Sequence, residues 1–231
     1  MPTPTLRKWL GIELIEVTAT EKLVAALGGG LSILALIYFS FWALPESGAP
    51  VIISSMGASA VLLFAVPHGQ LSQPWPVIAG HGFSALIGVA CARNIPLPIA
   101  AAAFAVGLSI AVMHQFKCIH PPGGATAFTA VMGGSSIQDL GYHFVLFPVL
   151  TNAVLMVLMA VAINSLFKWR RYPAILSQPS PSRKLAASAD VLQPTHEEVL
   201  AAVRSLDSFV DINEEDLIRL VALLTQRRPQ P

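Results

Sequence analysis

A stretch of 144 residues, from Leu23 to Leu166, contains only four formally charged side chains: Glu46, Arg93, Lys117 and Asp139. A water-soluble domain of that length must cover itself with polar and charged groups, which this stretch does not offer. In the whole chain 54% of residues are hydrophobic and 12% are charged, and the charged share is about half of that in soluble proteins. The sequence therefore predicts an all-α, polytopic helical protein embedded in a lipid bilayer.

Six apolar segments can be marked along this stretch. They run from about Leu23 to Leu44, Val51 to Val66, Pro76 to Ala92, Leu97 to Gln115, Pro121 to Met132, and Tyr142 to Phe167. A helix rises about 1.5 Å per residue and must cover about 30 Å of hydrocarbon. The second and fifth segments are short by this measure. We predict about four full transmembrane helices plus two short helices, broken or re-entrant, arranged in two repeats.

Basic residues flank the apolar region at both ends: Arg7, Lys8 and Lys22 before it, and Lys168, Arg170 and Arg171 after it. Lys and Arg concentrate on the cytoplasmic side, so we expect both termini in the cytoplasm and an even number of crossings. Either all six segments cross, or four cross and the two short ones dip in and return. We favour the second topology because it places Arg93 inside and Glu46 and Asp139 outside.

A short internal repeat relates the two short segments. Residues 57–60 (Gly-Ala-Ser-Ala) and 124–127 (Gly-Ala-Thr-Ala) are 67 positions apart, and each follows a long apolar segment and precedes another. Interrupted segments at matching places in two halves often form a transporter's binding site. If all six segments cross, the halves are inverted, and if the short ones are re-entrant, the halves are parallel.

Outside the membrane domain, 23–173, the chain is polar. Residues 1–22 form a cytoplasmic N-terminal segment, and residues 174–194 are predicted to be a linker because Pro, Ser and Ala are frequent there. Residues 195–231 are predicted to form a short cytoplasmic tail of two helices. Thr195 and Glu198 form a capping box for the first, and Asn213 caps the second.

The most unusual local sequence runs from Lys117 to Thr126, Lys-Cys-Ile-His-Pro-Pro-Gly-Gly-Ala-Thr. Two prolines are tolerated at the start of a helix but not in its interior, so a helix begins at Pro121 and His120 belongs to the break. A helix N-terminus with free N–H groups and a partial positive charge suits an anion, and Lys117 adds a full charge. The alternative is a tight turn with Lys117 reaching to the interface.

Since ionisable residues inside membranes are functional candidates, we predict a substrate site there. The second segment supplies the matching half, another start of a helix after a loop. The candidate substrate-binding residues are Lys117, His120, Gly123, Gly124, Ala125, Thr126, Ser54, Ser55, Gly57 and Ser59.

Other polar groups favour simpler roles. His81, His114 and Asn152 are expected to form hydrogen bonds between helices. His114, Cys118 and His120 do not predict a metal site, because Lys117 repels a cation and no acidic partner is near. A Cys118 nucleophile has no orienting third group. We therefore predict no catalytic residue, metal or cofactor, and the net charge of +1 gives no basic face for nucleic acid.

The chain resembles the HPP family of integral membrane proteins, over about Leu23 to Pro173. The likeness lies in residues 57–64 (Gly-Ala-Ser-Ala-Val-Leu-Leu-Phe), Gln73-Pro74, Gly80-His81, residues 120–127 (His-Pro-Pro-Gly-Gly-Ala-Thr-Ala) and residues 170–173 (Arg-Arg-Tyr-Pro). The resemblance implies four membrane-spanning helices. Its plastid and cyanobacterial members are linked to nitrite transport, which implies a small-anion substrate.

These observations predict a transporter or channel for a small monovalent inorganic anion, similar to nitrite. The alternative is a membrane sensor or scaffold that does not transport and uses its tail for interactions. The expected location is a bacterial inner membrane, and a homo-oligomer is compatible with the sequence.

Overall fold

The computed structural model describes residues 17–43 and 54–177. Residues 1–16, residues 44–53 with Glu46, and residues 178–231, which hold most of the predicted linker and the predicted two-helix tail, lie outside this part. The chain divides into two compact units, one of which spans Leu23–Pro179 and contains the membrane domain.

All regular structure in the described residues is helical. The helices are α1 (Ala19–Ala43), α2 (Ser55–Ala65), α3 (Pro74–Asn94), α4 (Pro98–Gln115), α5 (Pro121–Met132), α6 (Ser135–Gln138) and α7 (Thr151–Asn164), with wide helical turns at Val145–Leu150 directly before α7. Four of these stretches are long and apolar enough to cross a membrane: α1, α3, α4 and Val145–Asn164. The prediction of four long helices and two short ones is therefore confirmed.

Prolines set the helix boundaries. Pro74, Pro98 and Pro121 are each the first residue of a helix, where a missing N–H has no cost. Pro148 instead lies inside the sixth predicted segment, and the preceding Phe147 has φ −134° and ψ 121°, which is not helical. This segment is consequently kinked, because the proline ring excludes helical backbone before it.

Helix α5 runs alongside α3 in the same direction. A Cβ built on Gly80, near the start of α3, would lie 2.8 Å from Cβ of His120, just before α5. A Cβ on Gly88, two turns later, would lie 2.7 Å from the Ala127 oxygen and 2.7 Å from Cβ of Ala130. Gly80, Ser84 and Gly88 are spaced four residues apart, which predicts from the sequence that a neighbouring helix can approach this face closely. The structure confirms this prediction, and the approach depends on the absence of side chains at the two glycines.

Helix α2 runs in the opposite direction to α3. Its first residue, Ser55, contacts Thr126 in the middle of α5. Near its other end, the Leu62 oxygen accepts a hydrogen bond from Ser72 Oγ at 3.0 Å, and Ser72 lies just before α3 begins. The two short helices therefore point in opposite directions, as inverted halves require.

The favoured topology, with both short segments dipping in and returning, is wrong for α5. It places Arg93 and Asp139 on opposite sides of the membrane. In the structure the Arg93 guanidinium carbon lies 5.2 Å from the ring centroid of Tyr142, only three residues after Asp139. Because α5 follows α3 from one end of the bundle to the other, the chain reaches the Arg93 end before its last long helix begins. The alternative in which the segments cross fits these contacts.

Residues 164–174 return to the opposite end, where the loop before α3 lies. Tyr172 donates from its hydroxyl to the Ser72 oxygen at 2.8 Å, and Trp75 donates from Nε1 to the Phe116 oxygen at 3.1 Å. Lys117, Lys168, Arg170 and Arg171 adjoin these contacts in the chain. We call this end of the membrane domain the basic end.

Candidate functional site

Five polar side chains are packed together inside the apolar membrane domain. Ser55 is 1% exposed, and Ser59, His81, His120 and Thr126 are each 0% exposed. They come from α2, α3, α5 and the residue just before α5. We call them the hydroxyl–imidazole cluster. Polar groups are expensive inside a membrane and have to satisfy one another there.

The cluster is one continuous chain of hydrogen bonds. Ser55 Oγ lies 2.8 Å from Thr126 Oγ1, which lies 2.7 Å from Nδ1 of His81. Nε2 of His81 lies 2.8 Å from Ser59 Oγ, which lies 2.9 Å from Nε2 of His120. Nδ1 of His120 lies 2.8 Å from the Leu71 oxygen. The chain therefore ends on a backbone carbonyl.

That carbonyl fixes the direction of every bond when both imidazoles are neutral. The Leu71 oxygen can only accept, so His120 carries its hydrogen on Nδ1 and its Nε2 must accept. The Ser59 hydroxyl then donates to His120 and accepts from Nε2–H of His81. Nδ1 of His81 accepts from Thr126, whose oxygen accepts from Ser55. Each donor is used once, and the two imidazoles are opposite tautomers.

The local sequence explains why His120 reaches the cluster. His120 has φ −140° and ψ 101° and directly precedes Pro121, which disfavours helical backbone at this residue. The extended conformation brings its ring to the His81 ring, with centroids 4.9 Å apart and planes at 64°. The proline pair thus places an imidazole in the centre of the bundle.

His81 lies between matching residues of the two repeats. Ser59 and Thr126 are 67 positions apart, the period of the Gly-Ala-Ser-Ala and Gly-Ala-Thr-Ala repeat. One nitrogen of His81 bonds to each hydroxyl. The ring therefore bridges the two halves at their broken helices, beside the direct contact of Ser55 with Thr126.

The structure brings together four of the predicted site residues and separates the others. Ser55, Ser59, His120 and Thr126 belong to the cluster, whereas Ser54, Gly57 and Ala125 are exposed. Lys117 is also exposed and has a left-handed backbone, with φ 53°.

The two glycines at the start of α5 differ in their surroundings. Gly123 is buried, and its N–H already donates to the His120 oxygen at 2.8 Å. A Cβ on Gly123 would lie 2.9 Å from the Gly80 oxygen, so this glycine permits close contact with α3. A Cβ on Gly124 would approach only a Val106 methyl, at 3.9 Å, so space is open there.

His81 is the cluster residue that the predicted site did not include. Its predicted hydrogen bonds between helices are confirmed. Of the two other residues in that prediction, His114 is exposed and Asn152 is buried. The signal available in the sequence was the repeat itself, because a residue bridging Ser59 and Thr126 must come from a third helix.

A second set of polar side-chain contacts stabilises the basic end of the bundle. Arg170 is 1% exposed and donates from Nη2 to the Phe64 oxygen, at the last turn of α2, and to Asn164 Oδ1 at 3.2 Å. A guanidinium at a helix C-terminus is favourable because of the helix dipole. Tyr172 is fully buried, and burial raises the pKa of its hydroxyl. The hydroxyl stays protonated and can donate to Ser72.

The fold and the cluster define a polytopic helical membrane protein with two halves that meet at a polar centre. The family model described as HPP, transmembrane region, matches residues 15–173, and the chain belongs to this family. It is similar to two transmembrane proteins of Dictyostelium discoideum. One is 38% identical over 148 residues, covering 62% of this chain and 51% of the relative. The other is 34% identical over 173 residues, covering 72% and 55%.

The chain thus spans about half the length of these relatives. No solved structure matches it.

Proposed function

We propose that the chain transports a small monovalent inorganic anion, similar to nitrite, across its membrane. The observation that carries this proposal is the hydroxyl–imidazole cluster, which lies where the two short helices meet. In transporters with repeated halves, broken helices at the repeat interface commonly form the substrate site. A sealed polar centre in an apolar bundle needs a functional reason, because such groups are costly in a membrane.

The chemistry of the cluster suits an anion. Its side chains offer hydroxyl hydrogens and imidazole N–H groups, which are donors, and they include no carboxylate. The donors in the structure are all used within the cluster or on backbone carbonyl oxygens. An anion must therefore displace internal hydrogen bonds, which favours a small ion and a modest affinity, about micromolar to millimolar, or roughly 4–8 kcal/mol.

The other predicted site residues are assigned to the approach. The start of α5 carries a partial positive charge beside open space at Gly124. Lys117 is exposed on the loop that leads to this start. We assign Lys117 the role of attracting anions to the basic end, and we assign Ser55, Ser59, His120 and Thr126 direct contact with the ion.

The same basic residues support an orientation. Lys117, Lys168 and Arg171 are exposed, and Arg93 lies at the other end of the bundle. Positive residues favour the cytoplasmic side, so the basic end is proposed to face the cytoplasm. A bacterial inner membrane is the proposed location, and it rests on the family resemblance.

Uptake of nitrite, nitrate, formate and chloride into liposomes that contain the full chain tests this function. Lys117→Met should reduce uptake about tenfold, the equivalent of about 1.4 kcal/mol. Lys168→Met removes another exposed lysine at the basic end and should leave uptake within about twofold. Thr126→Val should reduce uptake further, because it removes a cluster hydroxyl but keeps the volume. Wild-type protein that takes up none of the four anions would overturn the proposal.

A further inference from the structure

We infer that the hydroxyl–imidazole cluster carries one proton together with each anion, so that the transport proposed above is proton–anion symport. This inference rests on the proposed function and names its coupling ion. The observation behind it is that one hydroxyl, Ser59, joins two buried imidazoles, 2.8 Å from Nε2 of His81 and 2.9 Å from Nε2 of His120. An imidazole pair bridged in this way can hold a proton and pass it on.

The cluster has no positive charge of its own to hold an anion. In the part of the chain that the structure describes, each hydrogen bond of its five side chains goes to another member or to a backbone carbonyl. An unpaired anion among neutral groups in an apolar bundle is strongly disfavoured. One added proton makes an imidazolium and removes this penalty.

A proton without an anion is disfavoured in the cluster as well. An imidazolium in the centre of a membrane domain is costly when it is alone. The anion and the proton therefore each raise the affinity of the cluster for the other, and binding free energies require this effect to be equal in both directions. Joint occupancy is electrically neutral, which is the state that best crosses an apolar environment.

The structure provides alternative partners for the protonated state. When a proton binds Nδ1 of His81, this nitrogen changes from acceptor to donor towards Thr126. Thr126 Oγ1 lies 3.3 Å from the Pro122 oxygen, so its hydrogen can turn to that carbonyl. No hydroxyl hydrogen is then left without an acceptor.

The proton can next move from His81 to His120 through Ser59. The proton on Nε2 of His81 leaves that nitrogen and forms a covalent bond to Ser59 Oγ. At the same time, the original hydroxyl proton of Ser59 leaves its oxygen and forms a covalent bond to Nε2 of His120. His81 becomes neutral with its hydrogen on Nδ1, Ser59 is again a hydroxyl, and His120 becomes the imidazolium. One proton has moved, and Nδ1–H of His120 still donates to the Leu71 oxygen.

The surrounding elements leave the two imidazoles as the proton carriers. Helix α2, helix α5 and the span Val145–Asn164 contain no other titratable side chain. The titratable or charged groups on the remaining neighbours include Cys91 and Arg93 of α3, His114 of α4, Lys117 and Cys118 of the next loop, and Arg170 and Tyr172. Of these, Arg170 and Tyr172 donate to backbone oxygens, and Lys117 and His114 are exposed. His68, on the loop that carries Leu71, lies with Nε2 3.2 Å from the Arg171 oxygen.

The test measures proton and anion movement in the same liposomes, which contain the full chain and a trapped pH-sensitive dye. Nitrate and chloride are the main probes, because their conjugate acids are too strong to cross the lipid as neutral molecules. Nitrite is compared with protein-free liposomes. The membrane voltage is clamped at zero and the outside is one pH unit more acidic, which is a driving force of about 1.4 kcal/mol per proton. The transported anion should then accumulate about tenfold inside, while the dye reports acidification of the interior.

Ser59→Ala removes the bridge, and proton-driven accumulation should fall at least tenfold. Ser59→Thr keeps a hydroxyl and should restore most of it. Ser109→Ala is the matched control, since Ser109 is buried on α4 and its hydroxyl has no hydrogen-bond partner among the described residues. It should behave like wild type.

A second measurement does not depend on transport. Nitrogen-15 spectra of histidine-labelled protein should show His81 protonated on Nε2 and His120 protonated on Nδ1, assigned through His81→Gln and His120→Gln. The inference is overturned if an anion enters without dye acidification and Ser59→Ala equals Ser109→Ala, and the proposed function then survives. Absence of uptake of every anion would overturn the proposed function, and the coupling with it.

Discussion

Replacing Gly88 with alanine tests the close approach of α3 and α5, on which the cluster depends. The new Cβ would lie 2.7 Å from both the Ala127 oxygen and Cβ of Ala130. Carbon atoms pack at about 3.5 Å or more, so the two helices must separate by roughly 0.8 Å. Overpacking of this kind costs about 1–3 kcal/mol.

The matched control is Gly107→Ala on α4. A Cβ at Gly107 would meet nothing within 4 Å, so alanine there brings only its better helix propensity, up to about 1 kcal/mol. The two variants have the same chemistry and differ in their surroundings. Gly88→Ala should be less stable than Gly107→Ala by about 1–3 kcal/mol.

Thermal unfolding in detergent measures this difference. For a protein of this size each kcal/mol shifts the midpoint by about 2–4 °C, so Gly88→Ala should melt several degrees below Gly107→Ala. The same separation would stretch the His81–Thr126 hydrogen bond from 2.7 Å to about 3.5 Å, which is beyond its useful range. Anion uptake should then fall as well. Equal midpoints for the two variants would refute the packing argument.

Two further predictions concern the basic end. Arg170→Gln should lower the unfolding midpoint, because the Phe64 oxygen and Asn164 lose a charged donor, and the loss of stability should be about 1.5–3 kcal/mol. The control is Arg171→Gln, at an exposed neighbour. An equal effect of the two substitutions would contradict the role assigned to Arg170. Tyr172→Phe leaves the Ser72 oxygen without its donor and should cost about 1–3 kcal/mol. Burial raises the pKa of Tyr172 above the ordinary tyrosine value of about 10. Absorbance titrations of the folded wild type and of Tyr172→Phe should therefore coincide up to about pH 11. A difference between them below that pH would show that the Tyr172 hydroxyl is accessible to solvent.

The sequence predicts the parts of the fold that depend on composition and on proline. The paucity of charge predicts a membrane domain, and the paired prolines predict both the start of α5 and the break at His120. The spacing of Gly80 and Gly88 predicts a face for close packing, although it does not say which helix occupies that face. The structure shows that α5 does.

The direction of the short helices could not be read from the sequence. Charged residues at the loop ends favour the topology that places Arg93 and Asp139 on opposite sides of the membrane. That preference depends on a single arginine, whereas the path of α5 is set by its packing along α3. Lys117 is likewise prominent in the sequence because charge is rare in the chain, yet it is exposed on a loop. The sequence gives little sign of the role of His81, because that role depends on two partners from helices that are distant in the chain.

His81 bridges matching residues of two similar halves. An imidazole has two different nitrogens, so it cannot treat Ser59 and Thr126 alike, even though the repeat makes them counterparts. With neutral rings, Ser59 accepts from His81 and Thr126 donates to it. The Leu71 oxygen, at the last link of the hydrogen-bond chain, selects this direction of donation. Reversing the direction would require every proton in the hydrogen-bond chain to move. The centre of a pseudosymmetric protein therefore has a defined polarity when both rings are neutral, and the inward and outward directions across it are inequivalent in that state.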